Sequence, residues 1–218
     1  MADAGRPARL LCLGDSYTVG EGVPPSETWP HRVAAALREG GVDAAPPVVL
    51  AQTGWTTEDL DAALDAALLG ADGPFDAVTL LVGVNDQYRR PDADAYRARF
   101  AALLRRAADL AAGLAGGAAG RVVVVSIPDW GRTPHGAAPP EDDGVPQRTP
   151  DQIGREVDAF NAAARAETEA AGAGWVDVTD LSRQQGGQTV ADGLHPSGAA
   201  YAAWAERVAP AVRAALGA

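Results

Sequence analysis

The sequence predicts an α/β fold, a three-layer α/β/α sandwich on a five-stranded parallel sheet. Three observations carry that prediction. Five short runs, at residues 9–13, 48–51, 77–82, 121–127 and 175–178, are rich in Leu or β-branched residues and show little polar alternation. Strands buried on both faces read this way. Between the runs lie segments whose apolar residues recur at three- and four-residue spacing, the pattern of amphipathic helices. Strand and helix alternate five times, as in a doubly wound sheet.

The elements follow in order. After the first strand, a helix is predicted from about Pro30, a favourable first-turn residue, to Glu39, where Gly40 and Gly41 end it. After the second strand, Leu60, Ala63, Leu64, Ala67 and Leu68 share one face, with Glu58, Asp59, Asp61 and Asp65 off it. Thr56 is the expected N-cap of that helix, with Asp59 three residues on. Tyr96, Phe100, Leu103, Ala107, Leu110 and Leu114 form a longer stripe, and Gly116, Gly117 and Gly120 make a joint before the fourth strand. Ile153, Val157, Phe160 and Ala164 form the next helical face, and Tyr201, Trp204, Val208 and Val212 the last. The aromatic members of these stripes read as core. The Pro-rich, acidic segment 129–151 reads as a long loop. It is either a lid or binding wall, or a mobile surface insertion. The length suits a single domain over residues 1–218, and no linker divides it.

Composition narrows the function classes. The formal net charge is −11, and Arg89 with Arg90 and Arg105 with Arg106 are only pairs of basic residues. A nucleic acid would be repelled by such a surface. The one cysteine, Cys12, leaves no internal disulfide and no multi-thiolate metal site. Its apolar neighbours mark it as a core residue rather than a reactive thiol. No signal-peptide h-region and no run of roughly 20 apolar residues stands out. The expectation is a cytoplasmic protein without membrane insertion. The sequence leaves the oligomeric state open.

Ligands of doubly wound sheets bind beyond the carboxyl ends of the strands. The first strand leads into Gly14-Asp15-Ser16-Tyr17, where glycine permits a tight turn that exposes the serine hydroxyl. The loop fits neither dinucleotide nor P-loop spacing. After the second strand, Gly54 follows Gln52 and Thr53 and leaves a bare backbone N–H facing the cleft. After the third comes Gly83-Val84-Asn85-Asp86. Asn85 is either a turn residue or an uncharged donor for a developing oxyanion. After the fifth comes Asp192-Gly193-Leu194-His195-Pro196. Pro196 keeps His195 extended, and Asp192 lies one turn away, where a carboxylate can orient an imidazole. Of the three histidines, His31 falls in a helix and His135 in the long loop without a nearby acid. His195 is therefore the base a serine nucleophile needs.

These four segments, in this order, resemble the SGNH hydrolase superfamily, also called GDSL esterases and lipases. The resemblance covers the chain from Leu10 to the last helix and implies a flavodoxin-like sheet. It implies that Ser16 attacks the acyl carbonyl, that His195 relays the proton and that Asp192 orients it. The N–H groups of Ser16 and Gly54 and the amide of Asn85 would form the oxyanion hole. No metal and no cofactor is implied. The segments 83–89 and 126–131 look like a bacterial lysophospholipase-like subgroup. Tyr17 stands where the family motif has Leu. Asp15 is expected to make a structural hydrogen bond rather than serve as the triad acid.

Trp55, Tyr88, Arg89 and Trp130 are expected around the site, with Arg89 or Arg90 available to an anionic group on the substrate. A small soluble ester, with a short acyl or acetyl group, is the expected substrate. The alternatives are a thioesterase or lysophospholipase on the same site, or a non-catalytic α/β binding module. Phosphoryl chemistry on Asp15 would call for clustered carboxylates, and Asp15 with Asp86 are too few.

Overall fold

Five strands, β1 (Leu10–Gly14), β2 (Val48–Ala51), β3 (Ala77–Leu81), β4 (Val122–Val125) and β5 (Gly174–Val176), pair in parallel in the order β2-β1-β3-β4-β5. This is the topology of a computed structural model that describes residues 6–67, 69, 74–89, 92–112, 118–138 and 148–218. The central strands β1 and β3 are buried along their whole length, which is why they lack polar alternation. Edge strand β2 instead leaves Val48 and Val49 exposed.

Helices cover both faces. On one, α2 (Trp29–Glu39) packs against α9 (Gly198–Ala215), and α9 also lies on β3, β4 and β5. On the other, α5 (Ala93–Ala112) packs against α3 (Thr57–Ala66) and α7 (Pro150–Ala171). The chain steps from β1 outward to β2, then reverses through β3, β4 and β5. Right-handed crossovers therefore place α2 on one face and α3, α5 and α7 on the other. The apolar stripes are the buried faces: Tyr96, Phe100, Leu103 and Ala107 on α5, Ile153, Val157, Phe160 and Ala164 on α7, and Tyr201, Trp204, Val208 and Val212 on α9 are all core. Leu68, Arg90, Leu114, Gly116 and Gly117 lie outside the described residues.

Helix starts follow side-chain chemistry. Thr56 and Asp59 form a reciprocal capping box at α3, as do Thr149 and Gln152 at α7, where Pro150 opens the helix.

Two expectations are corrected. The segment 129–151 is not structureless: Trp130–Arg132 forms a 3₁₀ turn, Pro134–Ala137 forms a short helix, α6, and α7 begins at Pro150. Residues 139–147 lie outside the described residues. Further on, Asp192 does not directly follow β5. A short helix, α8 (Thr179–Gln184), intervenes.

No described helix is long and apolar enough to cross a membrane.

Candidate active site

The strand order reverses beside β1, and the site lies at that point. Gly14, the last residue of β1, is in register with Ala51 of β2 and with Leu81 of β3. Ser16, Gly54 and Asn85 follow these three ends by two to four residues, so the sheet brings them to one level. A β-carbon on Gly14 would lie 2.2 Å from Thr18 Oγ1 and 2.4 Å from the Leu81 carbonyl oxygen. Only glycine lets the chain turn this tightly from β1 into α1 (Ser16–Val19). Asp15 caps α1, its Oδ1 accepting from the Tyr17 N–H at 3.0 Å. Ser16 is thereby the first helical residue, at the mouth of a cleft.

His195 stands on a loop that folds back on itself. The N–H of Val190 donates to the His195 carbonyl at 2.9 Å, and Thr189 bridges Pro196. Asp192 organises the turn. Its Oδ1 accepts from the backbone N–H of Leu194 (2.7 Å) and of His195 (3.0 Å), and its Oδ2 lies 2.6 Å from His195 Nδ1. Partial burial disfavours the Asp192 carboxylate, but hydrogen bonds from the His195 ring and those two N–H groups outweigh it. They hold Asp192 below its ordinary value. The other ring nitrogen, Nε2, lies 2.8 Å from Ser16 Oγ. Asp192, His195 and Ser16, the last lying 179 positions from His195, form one hydrogen-bonded line.

The Gly54–Trp55 turn is clipped from both sides by α4 (Val84–Arg89). Asn85 Nδ2 donates to the Trp55 carbonyl at 2.9 Å, and Arg89 Nη2 donates to the Gly54 carbonyl at 2.8 Å. Gly54 has φ +84°, a left-handed conformation that favours glycine, while a β-carbon there would meet only Arg89 Nη2, at 3.6 Å. Conformation rather than crowding selects glycine. Fixing the two carbonyls outward leaves the Gly54 N–H without a protein acceptor among the described residues. An amide carries two donors, so one Asn85 hydrogen remains beyond the bond to Trp55.

A cavity of about 240 Å³ opens over Ser16 and His195, lined also by Gly54 and Asn85. Tyr88 and Trp130 form one wall, with ring centroids 5.5 Å apart in an edge-to-face arrangement. Gln87, fully buried, holds that wall: its Oε1 accepts from Trp130 Nε1 at 2.7 Å and its Nε2 donates to Glu156 Oε2 at 2.7 Å. Arg148 Nη1 donates to the Gln87 carbonyl (2.9 Å) and to Glu156 (3.0 Å), and Nη2 to the Tyr88 carbonyl.

Of the residues expected around the site, Tyr88 and Trp130 line the cavity and Trp55 and Arg89 do not. Arg89 is engaged with the Gly54 carbonyl and with Asp59, 3.7 Å away. Trp55 packs against the core and presents its carbonyl to Asn85. Sequence reasoning passed over Thr53, Val84, Leu194 and His135, which also line the cavity. The first three adjoin motif residues, a signal that was available. His135 is brought in by α6, which is capped by Thr133 and opened by Pro134.

Tyr17 is buried, its ring centroid 5.2 Å from that of His195 and stacked on Trp204 at 6.3 Å. Cys12 is buried and its thiol is pushed up to about 12 by burial, so it is no nucleophile. Among the described residues, no group of three or more His, Cys, Asp or Glu could hold a metal ion.

The model of the GDSL-like lipase/acylhydrolase family matches residues 12–203. No curated protein sequence matches significantly. Among solved structures, TesA is similar at 23% identity and a TM-score of 0.70, covering 95% of this chain and 99% of its own. A carbohydrate acetylesterase family member from Sinorhizobium meliloti has 21% identity and a TM-score of 0.73, with 97% and 100% covered. An acetylxylan esterase from Geobacillus stearothermophilus has 19% identity and a TM-score of 0.64, with 98% and 96% covered.

Proposed function

The chain belongs to the GDSL-like lipase/acylhydrolase family, and we propose that it is a serine esterase that hydrolyses small carboxylic esters through an acyl-enzyme. The observation that carries this reading is the unbroken line from Ser16 Oγ to His195 Nε2 (2.8 Å) and from His195 Nδ1 to Asp192 Oδ2 (2.6 Å).

In this reading His195 Nε2 takes the Ser16 proton as Oγ attacks the acyl carbonyl. The two bonds that Asp192 receives from the backbone hold its carboxylate charged, so it fixes the imidazole tautomer and favours the imidazolium that forms. The N–H groups of Ser16 and Gly54 and the spare Asn85 hydrogen receive the developing oxyanion. His195 then passes its proton to the departing alkoxide. Water, deprotonated by the same nitrogen, releases the acid and restores Ser16.

The cavity volume of about 240 Å³ lies below the range usual for drug-sized ligands. It suits a short acyl or acetyl ester better than a long lipid chain. The acetylesterases among the similar structures support the same preference.

Hydrolysis of p-nitrophenyl esters from acetate to palmitate, by wild type and Ser16→Ala with EDTA present, tests the proposal. Turnover that is fastest for the shortest esters and collapses in the variant is expected. Turnover that persists in Ser16→Ala would remove Ser16 as nucleophile. A folded wild type that neither turns over these esters nor is labelled by a fluorophosphonate would instead be a binding module.

A further inference from the structure

The oxyanion donors Gly54 and Asn85 define where the carbonyl oxygen sits, and His195, which must protonate the leaving oxygen, defines where the alcohol departs. His135 is tied to the loop that carries His195. Its backbone N–H donates to the Gly193 carbonyl at 2.9 Å, two residues before His195 in the same loop. Thr133 locks the α6 turn that carries it, donating to the Trp130 carbonyl at 2.6 Å and accepting from the Gly136 N–H at 3.1 Å. The ring is therefore held at the cavity wall, tilted against Trp130 at a centroid distance of 6.1 Å.

Several other polar side chains of the lining are already engaged. Ser16 and His195 bond each other. Thr53 donates to Glu21, Asn85 to Trp55 and the Trp130 indole to Gln87. The Tyr17 hydroxyl has no hydrogen-bond partner among the described residues, but it is sealed from the cavity space. The half-buried His135 imidazole also has no side-chain partner among the described residues, yet it is open to whatever fills the cavity.

We infer that His135 reads the alcohol half of the substrate, and that the leaving alcohol carries a second hydroxyl group. This rests on the serine-esterase reading above. A neutral imidazole offers one donor and one acceptor, which a hydroxyl can meet with either of its own. The Trp130 and Tyr88 rings alongside give the C–H surface of such an alcohol an apolar wall. An alkyl alcohol would fill the same space and offer the imidazole no hydrogen bond. Discrimination of this kind comes from an unmet polar group as much as from a met one.

The test compares glycerol monoacetate with ethyl acetate, which share the acyl group and differ in the leaving alcohol. Steady-state kcat and KM are measured for wild type, His135→Phe and His135→Asn. Wild type should favour the glycerol ester in kcat/KM. His135→Phe, which keeps a ring but no hydrogen bond, should lower the ratio of the two kcat/KM values about tenfold, chiefly through KM, the effect of one neutral hydrogen bond. His135→Asn should recover most of it. A wild type without preference, an unmoved ratio in His135→Phe, or an equal loss in the Phe and Asn variants would overturn the inference. Wild type inactive on both esters, with Ser16 unlabelled by a fluorophosphonate, would remove the esterase reading itself and this inference with it.

Discussion

The indole Nε1 of Trp130 donates to Gln87 Oε1 at 2.7 Å, so the wall of the cavity is held by a residue on the helix that carries Asn85. Gln87 also reaches Glu156 on α7 at 2.7 Å. One buried amide thus ties oxyanion helix, aromatic wall and scaffold together. A network of this kind is rigid only while each member has its partner.

Gln87→Leu should leave the triad in place and loosen the wall. It leaves the Trp130 donor buried without an acceptor, a cost of about 1–3 kcal/mol, read as a lower midpoint in urea unfolding. On the shortest ester KM should rise about threefold or more while kcat changes little, because binding rather than transition-state contact is lost. Trp130→Phe removes the same bond from the other end. The double variant should be no worse than the poorer single one, whereas additive losses would show that the two side chains act independently.

Asn85 makes a sharper prediction. Its amide has one hydrogen on the Trp55 carbonyl and one to spare. Asn85→Ala should lower kcat by about a hundredfold to a thousandfold with KM nearly unchanged, the signature of a donor used only as charge develops. Steady-state kinetics on p-nitrophenyl acetate, with circular dichroism to confirm folding, settles it. A loss confined to KM would make Asn85 a turn residue that merely braces the Gly54–Trp55 turn.

Much of this was legible before the fold. β2 begins and ends where its apolar run does, and the Thr56–Asp59 capping box is where the spacing put it. Ser16, Gly54 and Asn85 were legible because each directly follows a strand, where parallel sheets place ligands. α8 was not. It has six residues, under two turns and too short for a repeating apolar stripe, and its N-cap position, Val178, makes no side-chain cap bond. The 129–151 segment did hold signals, Thr133-Pro134 and Thr149-Pro150, each an N-cap followed by a first-turn proline. Its overall Pro and acid content masked them. Arg89 reads in sequence as a cation available to an anionic group on the substrate. Only the tertiary fold shows the Gly54 carbonyl that it meets 35 positions away.

Asp15 gives a prediction about pH. Its side chain is fully buried, Oδ1 bonds the Tyr17 N–H, and Oδ2 has no partner among the described residues. Burial pushes the carboxyl up to about 7; the Tyr17 N–H lowers it in part, and the nearby Asp86 charge raises it further. The folded state therefore holds this proton more tightly than the unfolded chain, whose carboxyl titrates near 4. The stability that Asp15 contributes is fully present below the unfolded value and is lost as pH rises through about 7. Asp15→Asn keeps an oxygen for the Tyr17 N–H and removes the titration. Urea unfolding of both proteins from pH 4 to pH 9 isolates the effect, because other titrating groups are common to the pair. Relative to Asp15→Asn, wild type should be most stable at the acid end, lose ground through neutrality and level off above it. A difference that stays flat across the range would mean that Asp15 is charged in the folded protein throughout, with a partner for Oδ2 supplied by solvent.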